Sequence, residues 1–283
     1  MSRHREHILQ DIITARDGPW TYRVPDLGNS GRLIKSIDLH SDSASQAITL
    51  RWIQIPGNRA TSSIDPDHLI HIKVTDFRLQ DNSVTPPQPA TSRESAEYLI
   101  RFLKSGVTLN GTLYSFYGHS NSQLKSRSCF LKKGSSEEVD RVVERLGDFS
   151  KMKNVAKKAK RIGLLFSTAD RVLDVAAERC QDIPDIEDGD FNFTDGCGLI
   201  SPDFAKLLVR KKPIIFRNQR YLPSVFQIRY RGYKGVVTLD TGMKGSIWLQ
   251  FRKSMKKFAG SEDLSFAVVE YSKVRGAPRL ARC

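Results

Sequence analysis

Val225-Phe-Gln-Ile-Arg-Tyr-Arg-Gly-Tyr-Lys-Gly-Val-Val-Thr-Leu239 predicts two β-strands joined by a tight turn, and it is the most informative stretch of the sequence. Side chains alternate across a strand. One face of the first strand therefore carries Phe226, Ile228 and Tyr230, and the other carries Gln227, Arg229 and Arg231. Residues 232–235 are predicted to form the turn, where flanking glycines let another backbone or a phosphate approach Lys234. The pattern predicts an apolar face on a core and a cationic face suited to phosphate.

Further strands and several helices are predicted on both sides of this hairpin. The strands cover residues 32–39, 47–55 and 69–74 near the start of the chain, and 214–216, 246–251 and 264–270 near its end. Helices are predicted over 6–15, 96–103, 139–146, 151–166 and 202–210. Capping-box spacing at Thr91/Glu94 and at Ser135/Glu138 marks two of the helix starts. Ser201 and Pro202 mark another.

The order of these elements predicts an α+β fold rather than regular βαβ winding. It comprises a mixed N-terminal α/β region over residues 1–80, a proline-rich linker over 81–94, a helical and mixed region over 95–190, and a β-rich region over 191–283. No internal repeat is evident.

The basic residues are concentrated in two segments. The chain has 283 residues and a formal net charge of +14, from 45 Lys and Arg against 31 Asp and Glu. Residues 204–261 contain fourteen Lys and Arg and one acid, Asp240, a net of +13. Residues 151–161 contain five Lys and one Arg without an acid, so the remainder of the chain is mildly acidic. Such clustering favours a polyanionic partner.

Composition and segment patterns argue against several classes of protein. With 39% hydrophobic residues the chain is predicted to fold rather than to be disordered. No apolar run approaches the roughly 18 residues needed to span a bilayer, and the start lacks the features of a secretory signal. The four cysteines show neither zinc-ligand spacing nor the density of a disulfide scaffold. We therefore expect an intracellular protein of the cytoplasm or nucleus, without a membrane partner.

Two stretches suggest catalytic chemistry but are better explained otherwise. The acidic string Asp185-Ile-Glu-Asp-Gly-Asp190 resembles a two-metal site, in which carboxylates stand at alternate positions. Here the alternate positions are Ile186, Asp188 and Asp190, so the third carboxylate is missing. A solvated acidic loop is therefore favoured. His119 beside Ser120 and Ser122 lacks a spaced partner set for nucleophilic catalysis, which favours hydrogen bonding within a loop.

The sequence resembles the cellular RNA-dependent RNA polymerases of eukaryotic RNA silencing. The resemblance rests on motifs in the family's order from about residue 65 onward. They include Tyr114-Ser-Phe-Tyr-Gly-His-Ser-Asn-Ser-Gln123, Phe193-Thr-Asp-Gly-Cys-Gly-Leu-Ile-Ser201, Pro223-Ser-Val-Phe-Gln-Ile-Arg229, Gly232-Tyr-Lys-Gly-Val-Val237 and Arg252-Lys-Ser-Met-Lys-Lys-Phe258. The first motif is more similar to fungal than to plant members. The last of these motifs departs slightly from the family, which usually has Arg-Pro-Ser-Met where this chain has Arg252-Lys-Ser-Met255.

The resemblance implies a polymerase core of two double-psi β-barrels, of which the β-rich region 191–283 resembles the first. In that family Mg²⁺ is held by a D-x-D-G-D motif on the second barrel, and this sequence contains no such motif. The resemblance thus implies a partial chain whose missing C-terminal half would carry the metal. We expect no catalytic or metal-ligating residue in this chain, and no activity from it alone.

Cationic residues are the functional candidates that remain. The phosphate-binding candidates for RNA or nucleotide are Arg229, Arg231, Lys234, Lys244, Arg252, Lys256 and Lys257. The candidates for contacts to the RNA backbone are Lys151, Lys153, Lys157, Lys158 and Arg161. The implied partners are single-stranded RNA template, nucleoside triphosphates and double-stranded RNA product. Two alternatives stay open: a non-catalytic RNA-binding module derived from such a polymerase, and an unstable fragment with an exposed barrel interface.

Overall fold

The computed structural model describes residues 32–41, 46–78, 80–81, 88–216 and 218–273. The helix predicted over 6–15 lies outside these ranges. The chain divides into two compact units, one comprising residues 1–146 and 150–167 and the other 147–149 and 168–283. Within the described ranges, no helix is both long enough and apolar enough to cross a bilayer.

The first unit is built on a six-stranded mixed sheet with the strand order β2-β1-β3-β8-β7-β6. Its strands are β1 (Arg32–Ser41), β2 (Gln46–Ile55), β3 (Leu69–Thr75), β6 (Val107–Leu109), β7 (Thr112–Gly118) and β8 (Ser128–Lys133). A separate short pair comprises β4 (Gln80–Asp81) and β5 (Gln88–Pro89). The helices are α1 (Ser92–Ser105), α2 (Asn121–Lys125), α3 (Ser136–Leu146) and α4 (Val155–Ile162). The strands predicted over 32–39, 47–55 and 69–74 are confirmed.

The core of this unit forms between the sheet and helix α1. Ile37, Ile70 and Leu131 are fully buried, and Tyr98 and Phe102 of the helix pack into the same cluster. The predicted capping box of α1 is present, because Thr91 Oγ1 accepts a hydrogen bond from the Glu94 N–H while Glu94 accepts one from the Thr91 N–H. The second predicted box, at Ser135 and Glu138, is also formed.

The predicted domain boundaries fall inside the compact units. Strands β3 and β8 pair antiparallel across the proline-rich stretch 81–94, and helix α1 packs on the core that they share. That stretch therefore lies within the first unit, and the predicted boundary at residue 190 lies within the second. The boundary between the two units depends on long-range strand pairing, which cannot be inferred from local composition.

Helix α4 is shorter and more exposed than its sequence pattern predicts. The prediction of a helix over 151–166 was wrong in its bounds, since Asn154 caps a helix that begins at Val155 and ends at Ile162. No residue of α4 is buried, and Val155 is 81% exposed. Only Leu165 and Phe166, beyond the helix end, enter the core.

A partly buried histidine joins two strands of the first sheet. His71 in β3 lies opposite Ser36 in β1, and its Nδ1 is 3.0 Å from the serine Oγ. Burial lowers the pKa of His71 to about 4, opposed by Asp38 and reinforced by Arg51 and Lys73. The folded first unit therefore holds this imidazole in its neutral form near neutral pH.

This pKa predicts a pH-dependent stability of the first unit. The unfolded chain binds a proton at His71 below about pH 6.5, whereas the folded chain binds it only near pH 4, so stability is present above pH 6.5 and lost as the pH falls toward 4. The free energy of unfolding that is lost over this pH range is at most roughly 3 kcal/mol. In thermal melts between these pH values, His71→Gln is expected to show a smaller drop in Tm than the wild type. Parallel curves for the two proteins would contradict the assignment.

The second unit contains a seven-stranded mixed sheet with the order β10-β18-β13-β17-β16-β19-β9. Its strands are β9 (Asp170–Asp174), β10 (Cys180–Ile183), β13 (Cys197–Ile200), β16 (Val225–Tyr230), β17 (Tyr233–Leu239), β18 (Leu249–Arg252) and β19 (Ser265–Tyr271). Two short hairpins are formed by β11 (Glu187–Asp188) with β12 (Phe191–Asn192) and by β14 (Ile215–Phe216) with β15 (Gln219–Arg220). Helix α5 (Pro202–Lys211) begins at the predicted Ser201 cap.

Helix α5 covers one face of the seven-stranded sheet. Phe204 and Leu208 of the helix pack in one cluster with the predicted apolar face of β16. That face is almost completely buried: Phe226 and Ile228 are 0% exposed and Tyr230 is 1% exposed. The apolar half of the hairpin prediction is confirmed, and its cationic half is consequently on the face away from α5. Both units combine helices with mixed sheets.

Candidate nucleic-acid interface

The β16–β17 hairpin has a tighter turn than its glycine pattern predicts. Tyr230 pairs with Tyr233, which leaves Arg231 and Gly232 as a two-residue turn. Both have positive φ, 41° and 89°, as a type I′ hairpin turn requires. The turn predicted over 232–235 was therefore wrong, since Tyr233 and Lys234 already belong to β17.

Two cations face each other across this hairpin. Arg229 of β16 and Lys234 of β17 are direct antiparallel partners, so their side chains leave the sheet on the same face. Like charges in such a pair destabilise a sheet. The arrangement becomes favourable when an anion lies between or above the two groups.

The guanidinium of Arg229 is partly withdrawn from water. Burial lowers its pKa, because removing water disfavours the charged form. Its Nη1 donates to the Ile228 carbonyl at 2.9 Å, while its buried Nε has no hydrogen-bond partner among the described residues. A buried N–H without an acceptor costs free energy. An anionic oxygen reaching this group would remove that cost.

Lys257 lies beside the same turn. Its backbone N–H donates to the Gly232 carbonyl at 2.9 Å, and its ammonium donates to the Ser254 carbonyl. The neighbouring residue, Lys256, forms an antiparallel bridge with Tyr233. The segment that carries Lys257 is therefore fixed against the hairpin end that carries Arg229 and Lys234. We call these three residues the hairpin cations.

Asp185 anchors this segment to the sheet. Its carboxylate accepts hydrogen bonds from the backbone N–H and the hydroxyl of Ser254, at 2.9 and 2.6 Å. These bonds, with smaller contributions from Asn192 and Thr194, hold the pKa of Asp185 below its usual value. The Ser254 hydroxyl in turn accepts from the Gly196 N–H at 3.0 Å. The first acid of the 185–190 string is thus used in structural hydrogen bonds.

Glycines let strands and the anchored segment approach closely. A Cβ on Gly235 would lie 2.1 Å from the Gly196 carbonyl oxygen, and one on Gly198 would lie 2.9 Å from Met255 Sδ. Met255 is completely buried beneath these positions. A close backbone approach, which the glycines flanking Lys234 predicted, is therefore present at Gly235, and the predicted approach of a phosphate stays a prediction.

Three other predicted cations are held by protein groups. Arg231 was expected on the face of Arg229, but it lies in the turn and its Nε donates to the Ser261 carbonyl at 3.1 Å. Arg252 donates to the Pro184 carbonyl. Lys256 lies 3.8 Å from an Asp182 carboxylate oxygen and 5.4 Å from the ring centre of Tyr233.

Lys244 lies at the opposite end of the hairpin. It lines a shallow cavity with Asp240, Gln181 and Gln250, beyond the end of β17. Five residues of strand separate Lys234 from Leu239, or about 17 Å at roughly 3.3 Å per residue. The structure therefore does not bring Lys244 together with the hairpin cations.

The cations predicted to contact RNA backbone belong to the first unit. Lys157, Lys158 and Arg161 lie on α4, whereas Lys151 and Lys153 precede the helix. All but Arg161 are exposed, and Arg161 is partly exposed. We call residues 151–161 the α4 segment. No acid lies within it, so all of its charged side chains are cationic.

The stretch around His119 has a structural explanation. Ser120 caps α2 by accepting from the Gln123 N–H, and His119 Nδ1 lies 3.2 Å from the Ser120 carbonyl oxygen. Hydrogen bonding within a loop is confirmed for this stretch. Among the described residues, no group of three His, Cys, Asp or Glu side chains is placed to hold a metal ion.

Comparison with known proteins identifies the family. A family model described as RNA dependent RNA polymerase matches residues 52–283, which include the seven-stranded sheet of the second unit, strands β3, β6, β7 and β8 of the first, and the whole β16–β17 hairpin. The chain belongs to the RNA-dependent RNA polymerase family. It is 35% identical over 198 residues to RNA-dependent RNA polymerase 1 of Arabidopsis thaliana, a match covering 66% of this chain and 17% of that protein.

Relatives outside plants match the same family. RNA-dependent RNA polymerase 1 of Schizosaccharomyces pombe is 34% identical over 143 residues, covering 49% of this chain and 11% of that protein. The solved RNA dependent RNA polymerase QDE-1 from Thielavia terrestris has a similar fold, with a TM-score of 0.66 at 14% identity. That match covers 87% of this chain and 29% of the other. This polymerase-family chain therefore spans a minor part of the length of its relatives.

Proposed function

We propose that this chain is part of an RNA-dependent RNA polymerase that copies single-stranded RNA into double-stranded RNA in RNA silencing. Family membership supports the reaction class. The observation that carries the proposal for this chain is the opposed pair Arg229 and Lys234, with Lys257 fixed at the same hairpin end. Such a group neutralises adjacent phosphates of an RNA strand or of a nucleoside triphosphate.

The proposed contribution of this chain to the reaction is electrostatic. In nucleotide addition, a 3′-hydroxyl attacks the α-phosphate and pyrophosphate leaves, so negative charge develops on phosphate oxygens. The hairpin cations would stabilise that charge and orient the phosphates. Bound Mg²⁺ would activate the attacking oxygen and stabilise the leaving oxygens. Its ligands are proposed to lie outside this chain, since the D-x-D-G-D motif does not occur in the sequence and Asp185 is engaged with Ser254.

The remaining assignments extend this proposal. The mixed seven-stranded sheet is proposed to be the first double-psi barrel of the polymerase core, supported by the similar fold of the solved relative. The α4 segment is proposed to follow the RNA backbone, because its cations are solvent-exposed and no acid neutralises them within the segment. The cellular location, cytoplasm or nucleus, stays a prediction.

A non-catalytic RNA-binding role is the second candidate. This role is favoured because the sequence contains the cationic hairpin but no D-x-D-G-D motif. Both functions require RNA binding, and only the first requires that the chain act with metal-binding carboxylates.

The 283-residue chain is expected to bind single-stranded RNA and to synthesise none. Affinity should fall steeply between about 50 and 200 mM salt, because each neutralised phosphate releases counterions. The measurements are fluorescence anisotropy of labelled RNA and incorporation of labelled nucleotides with Mg²⁺. Salt-independent affinity would contradict the phosphate contacts. Synthesis that is lost in Asp188→Ala would contradict the placement of the metal ligands outside this chain.

A further inference from the structure

A small hairpin next to the hairpin cations exposes an apolar face. In β11 and β12, Asp188 pairs with Phe191, and the Phe193 N–H donates to the Ile186 carbonyl at 2.9 Å. Alternation then places Ile186, Phe191 and Phe193 on one face together with Asp188. The three apolar side chains are 57%, 73% and 69% exposed. We call this surface the Phe191/Phe193 face.

Hydrogen bonds tie this face to the hairpin cations. Phe193 is followed by Thr194, whose hydroxyl donates to Asp185 at 3.3 Å and accepts from the Ile186 N–H at 2.9 Å. Asp185 binds Ser254, and the Ser254 carbonyl accepts from the Lys257 ammonium. The aromatic rings and a phosphate-binding cation therefore belong to one hydrogen-bonded block of the second unit.

We propose that the Phe191/Phe193 face stacks unpaired bases of the single-stranded RNA whose phosphates contact the hairpin cations. This inference rests on the proposed RNA binding. Two phenylalanines at alternate positions of a strand present adjacent flat surfaces, the arrangement on which proteins stack successive bases of single strands. Both phenylalanine side chains are largely exposed, so their rings are accessible to a base.

The charges around the rings favour bases over phosphates. Glu187, Asp188 and Asp190 are exposed on the same small hairpin, which carries no basic residue between 185 and 194. Carboxylates repel phosphates but accept hydrogen bonds from the amino groups of base edges. The face should therefore contribute affinity that depends on bases and not on salt, while the hairpin cations contribute the salt-dependent part.

The test measures anisotropy with two labelled probes of about 15 nucleotides, an oligoadenylate and an abasic ribose-phosphate strand of equal length. Phe191→Ala combined with Phe193→Ala is expected to weaken oligoadenylate binding roughly tenfold or more and to leave the salt slope and the abasic affinity unchanged. Phe191→Trp with Phe193→Trp should retain wild-type affinity. Ile186→Ala is the matched control, since it removes apolar area from the same face without removing a ring.

The outcomes separate this inference from the proposed function. Wild-type affinity in the double alanine variant, or an equal loss on the abasic strand, would overturn base stacking. An equal loss in Ile186→Ala would also overturn it and would favour an apolar protein partner for the face. Failure of the wild-type chain to bind either strand would overturn the proposed RNA binding itself. Thermal melts of each variant check that the second unit is folded.

Discussion

Replacing both Arg229 and Lys234 with alanine is expected to weaken binding of single-stranded RNA by roughly 100-fold at moderate salt, since each charge-assisted contact to a phosphate contributes about 1–2 kcal/mol. The two side chains oppose each other on one face of the hairpin, and the buried Nε of Arg229 has no acceptor among the described residues. The measurement is the dissociation constant of labelled RNA by anisotropy.

A matched control tests whether the loss of RNA affinity depends on the positions of the two cations and not only on their charge. Lys206→Ala with Arg210→Ala removes the same charge from exposed positions of α5, the helix that covers the opposite face of the sheet. It is expected to weaken binding only slightly. Equal losses in the two double variants would contradict a localised phosphate site.

The same variant should keep its fold. Removing Arg229 and Lys234 relieves like-charge repulsion and the burial of a charged group, so the Tm of the free chain is expected to stay level or to rise. A large drop in Tm would mean that the pair serves the fold and that the loss of binding has a structural cause.

The second large effect is expected at Gly235. A Cβ at this position would lie 2.1 Å from the Gly196 carbonyl oxygen, a backbone atom that cannot turn aside, and 3.2 Å from Met255 Cε. Gly235→Ala should therefore push β13 away from β17 and destabilise the second unit by about 3 kcal/mol or more. That corresponds to a Tm lower by roughly 10 °C. Circular dichroism melts measure it.

Gly242 provides the control for that substitution. An added Cβ there would meet only the Asp240 carboxylate, at 3.2 Å, and the end of a side chain can move. Gly242→Ala is expected to leave both Tm and RNA affinity close to wild type. Similar melting of the two variants would contradict the close approach of β13 and β17.

Local patterns predicted local structure well. The alternation of β16 identified its buried face, since Phe226 and Ile228 are fully buried as expected. The capping residues Thr91 and Ser201 were found from spacing alone. These features depend on neighbours within a few residues, and so the sequence records them directly.

Features that depend on distant partners were not predictable in the same way. Arg231 was assigned to the face of Arg229 by alternation, yet the two-residue turn gives it a positive φ and directs its Nε to Ser261. The α4 helix shows an amphipathic pattern without burying a residue. The acceptor of Arg231 lies 30 residues further along the chain, and the pattern of α4 does not indicate whether another segment covers it.

The candidate site was predicted as a set of residues but not as a geometry. The +13 segment contained the hairpin cations and also Lys244, which lies at the far end of β17. Charge counting cannot separate the two ends of a strand. The exposed Phe191 and Phe193 were overlooked, although two phenylalanines at alternate positions beside acidic residues were visible in the sequence.

The salt dependence of RNA binding tests the central claim most directly. The slope of the logarithm of the association constant against the logarithm of salt concentration counts neutralised phosphates, at about 0.7 per phosphate for single strands. We expect the Arg229→Ala/Lys234→Ala variant to show a slope shallower than wild type by roughly 1.4, as two lost phosphate contacts require. If the wild-type chain binds RNA and the variant shows the same slope as the wild type, the assignment of the hairpin cations to RNA phosphates is contradicted.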